Sequence, residues 1–351
     1  MSQLSQPVRL AIIGFGMFGQ RHAATIRADA DCELVAVADP SVGATTAAVA
    51  FGVPAYTDAA QMLDAVHADG VIVATPNALH VSAALEAVRR RLPVLVEKPI
   101  AETVASARML CDAAKLANVP VLVGHHRRYN PVIEKAREIV RSGAIGKLVA
   151  VNALFLILKP DDYFDIAWRR EEGGGPILIN LIHDIDNLRH IAGEIVDVQA
   201  FTNNGVRGNA VEDSAALTMR FASGALGAAV LSDATPAPWS WEPTSGEAPM
   251  YPHCDQSCYW FAGTEGSFSV PQLELWRYAG PRGWTAPLAH ARVAIAQADP
   301  QARQLAHFVR MIRAGEAPRV DCEDATQTLA VTLSIAAAAR AHEMRMNANA
   351  A

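Results

Sequence analysis

The sequence predicts an α/β domain built on a doubly wound parallel sheet, followed by an α+β domain with a large, open-faced and mostly antiparallel sheet. In the first third of the chain, short apolar runs alternate with segments of helical periodicity, as in βαβ units. Further along, strand-like segments alternate apolar and polar residues, which is typical of a sheet with one covered face. A chain of 351 residues is also long enough to form two cores.

The first domain is placed at residues 1–127 because five strand candidates fall within it. One of them begins with Val71–Val73, which is apolar throughout, as a strand buried on both faces should be. The strand candidates are Leu10–Ile13, Glu33–Ala38, Val71–Ala74, Val94–Val96 and Val121–Val123. The helices predicted between them are Phe18–Ala28, Ala44–Phe51, Asp58–His67, Ala78–Arg90 and Val104–Leu116.

The second domain is placed at residues 128–351, because the pattern changes after Asn130-Pro131. Pro- and Trp-rich Thr235–Asp255 is predicted to be an irregular loop. The strand candidates are Leu148–Phe155, Val196–Phe201, Ser214–Phe221, Ala225–Ser232 and Cys258–Ala262. The predicted helices are Val132–Ser142, Pro176–Ala192, Pro300–Ala314 and Glu323–Met344, and the last two are candidates for packing against the first domain.

Composition excludes several classes of protein. The net charge of −6 at pH 7 argues against general binding to nucleic acids or anionic membranes, and no run of 18 apolar residues is present. Met1–Pro7 lacks the apolar region of a signal peptide, so we expect a cytoplasmic protein. Five cysteines are too few for a disulfide framework. Cys254 and Cys258, with His253 and Asp255, loosely resemble metal ligands, but the second ligand pair of a structural zinc site is missing; we expect no metal.

The motif Gly14-Phe15-Gly16-Met17-Phe18-Gly19 follows the first strand and opens a helix. In such a motif Gly14 permits the tight turn, Gly16 the close approach of the backbone to a pyrophosphate, and Gly19 the packing of helix on strand. The free N–H groups of the helix N-terminus favour an anion. The motif therefore predicts dinucleotide binding by these six residues in a Rossmann domain. The alternative is a glycine-rich turn with a purely structural role.

Asp39 ends the second strand, 20 residues after Gly19, where an acidic residue commonly binds the adenosine ribose. Its carboxylate would accept hydrogen bonds from the ribose hydroxyls and repel a 2′-phosphate. The following Pro40 and Ser41 provide no arginine that would hold such a phosphate. We therefore expect NAD as the cofactor rather than NADP.

Two further loops follow strands of the same sheet. Thr75-Pro76-Asn77, with His80 one turn into the next helix, should pass close to the nicotinamide half of the cofactor, although the loop also suits a plain helix start. Glu97-Lys98-Pro99 closes another apolar run. Ligands gather at the carboxyl ends of parallel strands, so we expect Glu97 and Lys98 near the cofactor. Lys98 would also contact the substrate oxygen; a surface salt bridge between the two residues is the alternative.

A second polar cluster begins with Gly173-Gly174-Gly175 and continues along the helix that Pro176 opens and Gly193 ends. A 3.6-residue period places Asn180, His183, Asp184 and Asn187 on one face of this helix. Exposed faces favour Lys and Glu, so the stripe indicates a functional face. We expect His183 to act as general acid and base, since histidine titrates near neutral pH, and Asn180 to bind substrate.

Gly124-His125-His126-Arg127-Arg128 ends the last strand of the first domain. His125 and Arg127 could bind an anionic substrate group, or the arginines could form ion pairs at the domain junction. Trp168-Arg169 is expected to cover the nicotinamide. Trp239 and Trp241 would line either a pocket or an oligomer interface.

Together these residues resemble the family of glucose–fructose oxidoreductase, inositol dehydrogenase and the rhizopine-catabolism dehydrogenases (Gfo/Idh/MocA). The resemblance covers nearly the whole chain. It implies a Rossmann domain, a C-terminal open-faced sheet through which dimers or tetramers form, and NAD(P)-dependent oxidation of sugars, polyols or related alcohols. Its motifs are the glycine turn, Ala74–Asn77 with His80, Glu97–Pro99, Gly124-His125 with Arg127, Trp168-Arg169, the triple glycine, and His183 with Asp186.

The chain departs from the family at one position. Many members have Asp four residues before the catalytic His, where this chain has Ile179 followed by Asn180. Lys98 and His183 remain, so the resemblance still implies dehydrogenase chemistry, with a substrate hydroxyl between these two side chains. The basic cluster favours an acidic alcohol, such as a sugar acid or a cyclic dihydrodiol carboxylate. Some relatives instead cleave glycosidic bonds through a closed NAD redox cycle, and others are sensors that bind dinucleotide without catalysis.

Overall fold

A computed structural model describes residues 6–350, with side chains up to Met346. Most of Met1–Pro7, on which the expectation of no signal peptide depends, lies outside the described residues. The chain divides into two compact units. The first contains the residues up to His126 together with Asp299–Leu329, and the second contains Arg127–Ala298 and the chain from Ala330 onward.

The first unit is built on a parallel sheet of six strands, which confirms the predicted α/β class. Their order is β3-β2-β1-β4-β5-β6, which is the order of a dinucleotide-binding sheet and reverses between β1 and β4. The sequence predicted five of them and missed the two-residue β3. The strands are β1 (Val8–Ile13), β2 (Cys32–Ala38), β3 (Ala55–Tyr56), β4 (Gly70–Val73), β5 (Val94–Val96) and β6 (Val121–Val123).

Five helices connect these strands, and side-chain caps explain where three of them begin. Ser41, Asp58 and Thr103 each accept a hydrogen bond from a backbone N–H three residues further on, which satisfies a helix donor that would otherwise lack a partner. The helices are α1 (Met17–Arg27), α2 (Val42–Phe51), α3 (Ala59–Ala65), α4 (His80–Arg89) and α5 (Val104–Ala117).

The second unit contains an eight-stranded sheet in the order β14-β13-β12-β11-β7-β10-β9-β8. All neighbours are antiparallel except β7 and β10, as the sequence predicted for a mostly antiparallel sheet. The last three strands were not predicted. The strands are β7 (Leu148–Leu156), β8 (Ile195–Asn203), β9 (Ser214–Phe221), β10 (Leu226–Ser232), β11 (Tyr259–Gly263), β12 (Gly266–Val270), β13 (Glu274–Tyr278) and β14 (Leu288–Arg292).

One face of this sheet is covered by helices α6 (Pro131–Arg141) and α7 (Ile182–Ala192), whose apolar residues join the same core cluster as the buried strand residues. The buried residues of β9 alternate along the strand, as the sequence pattern predicted. On the other face, apolar side chains are exposed: Val149, Val196, Phe201, Leu226 and Val230.

Three further helices complete the chain. The short α8 (Trp241–Ser245) lies in the segment that was predicted to be irregular, and α9 (Pro300–Ala314) and α10 (Cys322–Ala350) follow the sheet. Helix α9 and the start of α10 group with the first unit. Within the described part of the chain, no helix has the length and apolarity needed to cross a membrane.

Candidate active site

The glycine turn between β1 and α1 leaves open space where a dinucleotide would bind. Gly14 has φ +88°, and a Cβ at this position would come within 2.5 Å of the Thr75 backbone nitrogen, so only glycine fits. A Cβ on Gly16, in contrast, would meet no described atom within 4 Å. The first turn of α1 carries no acidic residue, so its N–H groups and the helix dipole can attract a pyrophosphate.

Asp39 connects the end of β2 to the glycine turn. Its Oδ2 accepts the backbone N–H of Phe15 at 2.8 Å, and its Oδ1 accepts the N–H and hydroxyl of Ser41 at 2.9 and 2.7 Å. Burial alone would raise the pKa of Asp39, but these hydrogen bonds lower it below its usual range. The charged carboxylate has about four acceptor positions, which leaves capacity for a ribose hydroxyl.

His80 holds two loops of the first unit together. Its Nδ1 lies 2.7 Å from the carbonyl oxygen of Pro99, and its Nε2 lies 2.9 Å from that of Thr75. Burial lowers the pKa of His80 by more than these carbonyls and the Glu97 carboxylate raise it. A neutral imidazole donates to one of these two carbonyls, and its ring lies between the loop after β4 and the loop that carries Lys98.

Glu97 is buried at the end of β5, so it cannot take part in a surface salt bridge with Lys98. Its Oε1 lies 2.8 Å from Nε2 of His22, and its Oε2 accepts the backbone N–H of Lys98 at 3.1 Å. Burial would raise the pKa of Glu97, but the hydrogen bond and charge of His22, with smaller effects of His126 and Lys98, lower it to about 2. Lys98 itself is half-buried and lies at the same sheet edge as the glycine turn.

In the second unit, Trp168 and Arg169 form a 3₁₀ turn next to the triple glycine. A Cβ on Gly174 would lie 2.2 Å from the carbonyl oxygen of Trp168, so the glycine permits this close contact. The Arg169 guanidinium lies 4.0 Å from the ring centroid of Tyr163. It also donates a hydrogen bond to the backbone carbonyl oxygen of Tyr163 at 2.7 Å. The Trp168 side chain is half-exposed.

The predicted catalytic helix begins with a π-helical turn at Ile177–Leu181, before α7. The carboxylate of Glu212 accepts the Ile177 N–H at 2.9 Å and occupies space that a side chain on Gly175 would fill. Of the predicted polar stripe, Asn180 lies in this turn and the other three residues lie in α7; Asn180 and His183 are half-buried, and Asp184 and Asn187 are buried. The stripe therefore differs in burial along its length, and Asp184 and Asn187 both contact the Tyr259 hydroxyl.

Asp184 instead belongs to a buried cluster with Arg127. The Arg127 guanidinium lies 3.4 Å from Asp184 Oδ1 and donates to Glu242 Oε1 at 2.8 Å, and the Tyr259 hydroxyl donates to Asp184. Burial raises the pKa of Asp184 to about 7 against the lowering effect of Arg127, and Glu242 adds to the rise. One Arg127 charge is thus shared by two carboxylates.

Arg128 forms a second buried ion pair with the same helix. Its Nε and Nη2 donate to the two carboxylate oxygens of Asp186 at 2.8 and 2.7 Å, a bidentate geometry that fixes orientation as well as distance. The sequence left open whether these arginines bind an anionic substrate group or form ion pairs. The structure shows ion pairs for Arg127 and Arg128, both within the second unit. His125 is buried in the first unit.

Lys159 was missed by the sequence analysis, although a signal was present. It follows β7 in the run Leu156-Ile157-Leu158-Lys159-Pro160, the same apolar-strand-then-Lys-Pro pattern that pointed to Lys98. Its Nζ donates to Oδ1 of Asn180 at 2.8 Å. Lys159 therefore contacts one of the predicted substrate-binding residues.

Cys254, Cys258, Trp239 and Trp241 are the remaining residues that the sequence singled out. Among the described residues, no three His, Cys, Asp or Glu side chains are grouped so that they could hold a metal ion, and Cys254 and Cys258 are free thiols. Trp241 is buried in the core of the second unit and stacks on Tyr259 with ring centroids 6.2 Å apart. Trp239 is partly exposed.

The sheet order, the open glycine turn and the charged Asp39 define the first unit as a dinucleotide-binding domain. The chain belongs to the GFO/IDH/MocA family: residues 8–125 match its oxidoreductase domain, described as having an NAD-binding Rossmann fold, and residues 133–269 match its C-terminal domain. The predicted family and fold class are therefore confirmed. The first unit therefore carries the NAD-binding Rossmann domain of an oxidoreductase family.

Two curated relatives and one solved structure illustrate the similarity. The rhizopine catabolism protein MocA of Rhizobium meliloti is 32% identical over 187 residues, 53% of this chain and 57% of that protein, so the match spans little more than half of it. D-Glucoside 3-dehydrogenase of Escherichia coli is 30% identical over 242 residues, 63% of this chain and 69% of that enzyme. WlbA dehydrogenase of Bordetella pertussis, crystallised with NADH and UDP-GlcNAcA, shares the fold with a TM-score of 0.79 at 23% identity, over 95% and 97% of the two chains.

Proposed function

We propose that this protein is an NAD-dependent dehydrogenase that oxidises a secondary alcohol of a sugar, polyol, sugar acid or related cyclic alcohol. The observation that carries the proposal is the placement of Lys98 at the same edge of the parallel sheet as the open glycine turn, in a loop fixed by Glu97 and His80. The similarity to a glucoside dehydrogenase supports the substrate class.

The first unit would hold the cofactor through its own loops. The turn from Gly14 to Gly19 would bind the pyrophosphate, Asp39 the adenosine ribose, and the loop of Thr75, Pro76 and Asn77 the nicotinamide half, with Trp168-Arg169 covering the ring. Bound NAD supplies the acceptor for the hydride that leaves the alcohol carbon. The charge of Asp39 disfavours the additional phosphate of NADP.

Lys98 and His183 would act on the substrate hydroxyl. The Lys98 ammonium would donate a hydrogen bond to the oxygen and stabilise the negative charge that develops on it as the hydroxyl proton leaves, before the hydride passes from carbon to NAD. His183 takes the hydroxyl proton as general base and returns it in the reverse reaction. Asn180 contacts a neighbouring substrate oxygen. The alcohol is thereby converted to a carbonyl, with the proton on His183.

The buried ion pairs would position these groups rather than bind substrate. Arg127 holds Asp184, the neighbour of His183, and Arg128 holds Asp186 two residues further along α7. Together they fix the rotation of α7 about its axis. The exposed apolar face of the eight-stranded sheet, including Phe201 and Val230, would form a homodimer or homotetramer interface.

The proposal is tested by measuring NADH formation from NAD, and NADPH formation from NADP, with panels of polyols, aldoses, sugar acids and dihydrodiols. We expect NADH from one class and little NADPH. Tight NAD binding without reduced cofactor from any alcohol would contradict the dehydrogenase. Release of sugar from a glycoside panel would then indicate the closed redox cycle, and no reaction at all would indicate a sensor.

A further inference from the structure

Lys159 is a buried lysine with a fixed position in the second unit. Only 9% of the residue is exposed, and its Nζ lies 2.8 Å from Asn180 Oδ1 and 3.1 Å from Asp233 Oδ2. The ring of Tyr163 lies 4.7 Å from the same Nζ atom. These contacts surround the ammonium with two oxygen acceptors and one aromatic face.

The surroundings of Lys159 balance its charge and hold its backbone. Asp233 is buried and also pairs with Arg207, whose Nε lies 3.1 Å from Asp233 Oδ1. The Lys159 N–H donates to the Asp233 carbonyl at 2.9 Å, and Arg207 Nη2 donates to the Lys159 carbonyl at 2.9 Å. Burial lowers the pKa of Lys159, and the Asp233 carboxylate opposes that shift. Lys159 is therefore a fixed donor, and Asp233 already serves as its counter-charge.

The contact with Lys159 determines which end of the Asn180 amide faces outward. An ammonium group can only donate hydrogen bonds, so it must meet the amide oxygen and not the amide nitrogen. The N–H₂ group of Asn180 consequently points away from Lys159. With Lys159 in place, Asn180 offers hydrogen-bond donors to a ligand.

Asn180 lies three residues before His183 in the same helical segment, and both are half-buried, whereas Asp184 and Asn187 are buried. Asn180 is therefore partly accessible and lies within one helical turn of the proposed general base. A carboxylate is the strongest acceptor for such a donor, because the hydrogen bond is charge-assisted. A neutral hydroxyl gains less from it.

We propose that Lys159 is a positioning residue that presents Asn180 as a hydrogen-bond donor and so selects a sugar acid over the corresponding neutral sugar. This inference rests on the proposed dehydrogenase function and narrows its substrate class. Asn180 touches the substrate carboxylate, whereas Lys159 acts through Asn180. The preference for the sugar acid should then depend on Lys159, although the Lys159 side chain does not touch the substrate.

Matched pairs of substrates test the preference: D-glucuronate with D-glucose, and D-galacturonate with D-galactose, assayed for NADH formation with NAD. We expect the wild-type protein to prefer one of the acids. Lys159→Met should raise KM for that acid about tenfold or more while kcat stays within about threefold, because a contact to a non-reacting group is lost. Lys159→Arg, which keeps a donor, should restore KM. Lys147→Met, at an exposed lysine of the same unit, is the control.

Asn180→Asp provides a second test that keeps a partner for Lys159. An aspartate would direct an acceptor oxygen toward the substrate, so we expect a higher KM for the acid and a preference shifted toward the neutral sugar. An unchanged KM in a folded Lys159→Met protein, or equal use of acid and neutral sugar by the wild type, would overturn the inference.

Thermal-shift titrations with NAD present separate this inference from the proposed function, because they report binding without turnover. If no alcohol yields NADH, the dehydrogenase proposal fails. Stabilisation of the wild-type protein by a sugar acid, lost in Lys159→Met and regained in Lys159→Arg, would still support the role of Lys159. No stabilisation of the wild type by either acid would overturn it.

Discussion

The Nε2 atom of His22 lies 2.8 Å from Oε1 of Glu97, and both side chains are buried. His22 belongs to α1, which begins at the glycine turn, and Glu97 precedes Lys98 at the end of β5. A single buried contact therefore connects the helix behind the cofactor turn to the loop that carries the proposed catalytic lysine. Its loss should affect both stability and catalysis.

Replacing His22 by leucine should destabilise the protein by about 3–5 kcal/mol at neutral pH, because a buried carboxylate loses its partner. The folded-state pKa of Glu97 is about 2, below the value of about 4.3 in unfolded chains. Its contribution is therefore present above about pH 4.3 and is lost as the pH falls toward 2. Urea unfolding across this range should show that loss in the wild type and not in His22→Leu.

A matched control for this experiment is Arg310→Ala, which removes an ion pair with Glu316 at the protein surface. Exposed pairs contribute little to stability, so its unfolding midpoint should stay close to that of the wild type. Equal midpoints for His22→Leu and the wild type would show that Glu97 does not depend on this contact.

Asp39→Asn should weaken NAD binding and raise the affinity for NADP relative to NAD by about tenfold, since the charge that repels a 2′-phosphate is removed. The amide oxygen can still accept the Phe15 N–H, so the turn should remain folded. Fluorescence titrations with NADH and NADPH measure the ratio. Asp58→Asn, which changes the cap of α3, serves as the control, and an unaltered ratio in Asp39→Asn would remove Asp39 from cofactor selection.

Lys98→Ala and His183→Ala should each lower turnover by about a hundredfold or more, because each removes a group that acts in the transition state. NADH binding should persist in both variants. Lys147→Ala and His67→Ala change exposed residues of the same types and should retain activity. Wild-type turnover in both Lys98→Ala and His183→Ala would refute the assignment.

Asp184 should make the free energy of unfolding fall between about pH 4 and pH 7. Its folded-state pKa of about 7 lies above the unfolded value of about 3.9, so the folded protein keeps this proton longer and is favoured at low pH. The change should be on the order of a few kcal/mol. Asp184→Asn should make the free energy of unfolding depend less on pH, which urea midpoints at pH 5 and pH 8 would measure. An equally steep pH dependence in this variant would exclude Asp184 as its source.

Local sequence signals predicted much of the fold and the cofactor turn. The glycine motif, Asp39 and the apolar runs are local features, so they were visible without the fold. Strand β14 was missed because all of its residues are exposed and none of them is β-branched. The two-residue β3 was too short to give a pattern.

The buried clusters of the second unit could not be predicted, because their members are far apart in the sequence. Arg127 meets Asp184 and Glu242 only after folding, and Arg128 meets Asp186. The π turn at Ile177–Leu181 also has no clear sequence signature. Lys159 could have been found by comparing its Lys-Pro pattern with that of Lys98.

The double anchoring of α7 by Arg127 and Arg128 has a consequence for how proteins of this architecture could diverge. The groups that hold the helix are buried, whereas Asn180, the proposed ligand contact, is only half-buried on the same segment. Substitutions at Asn180 could therefore accumulate in a duplicated gene without loss of the scaffold. One or two amino-acid substitutions would then be enough to change the substrate preference.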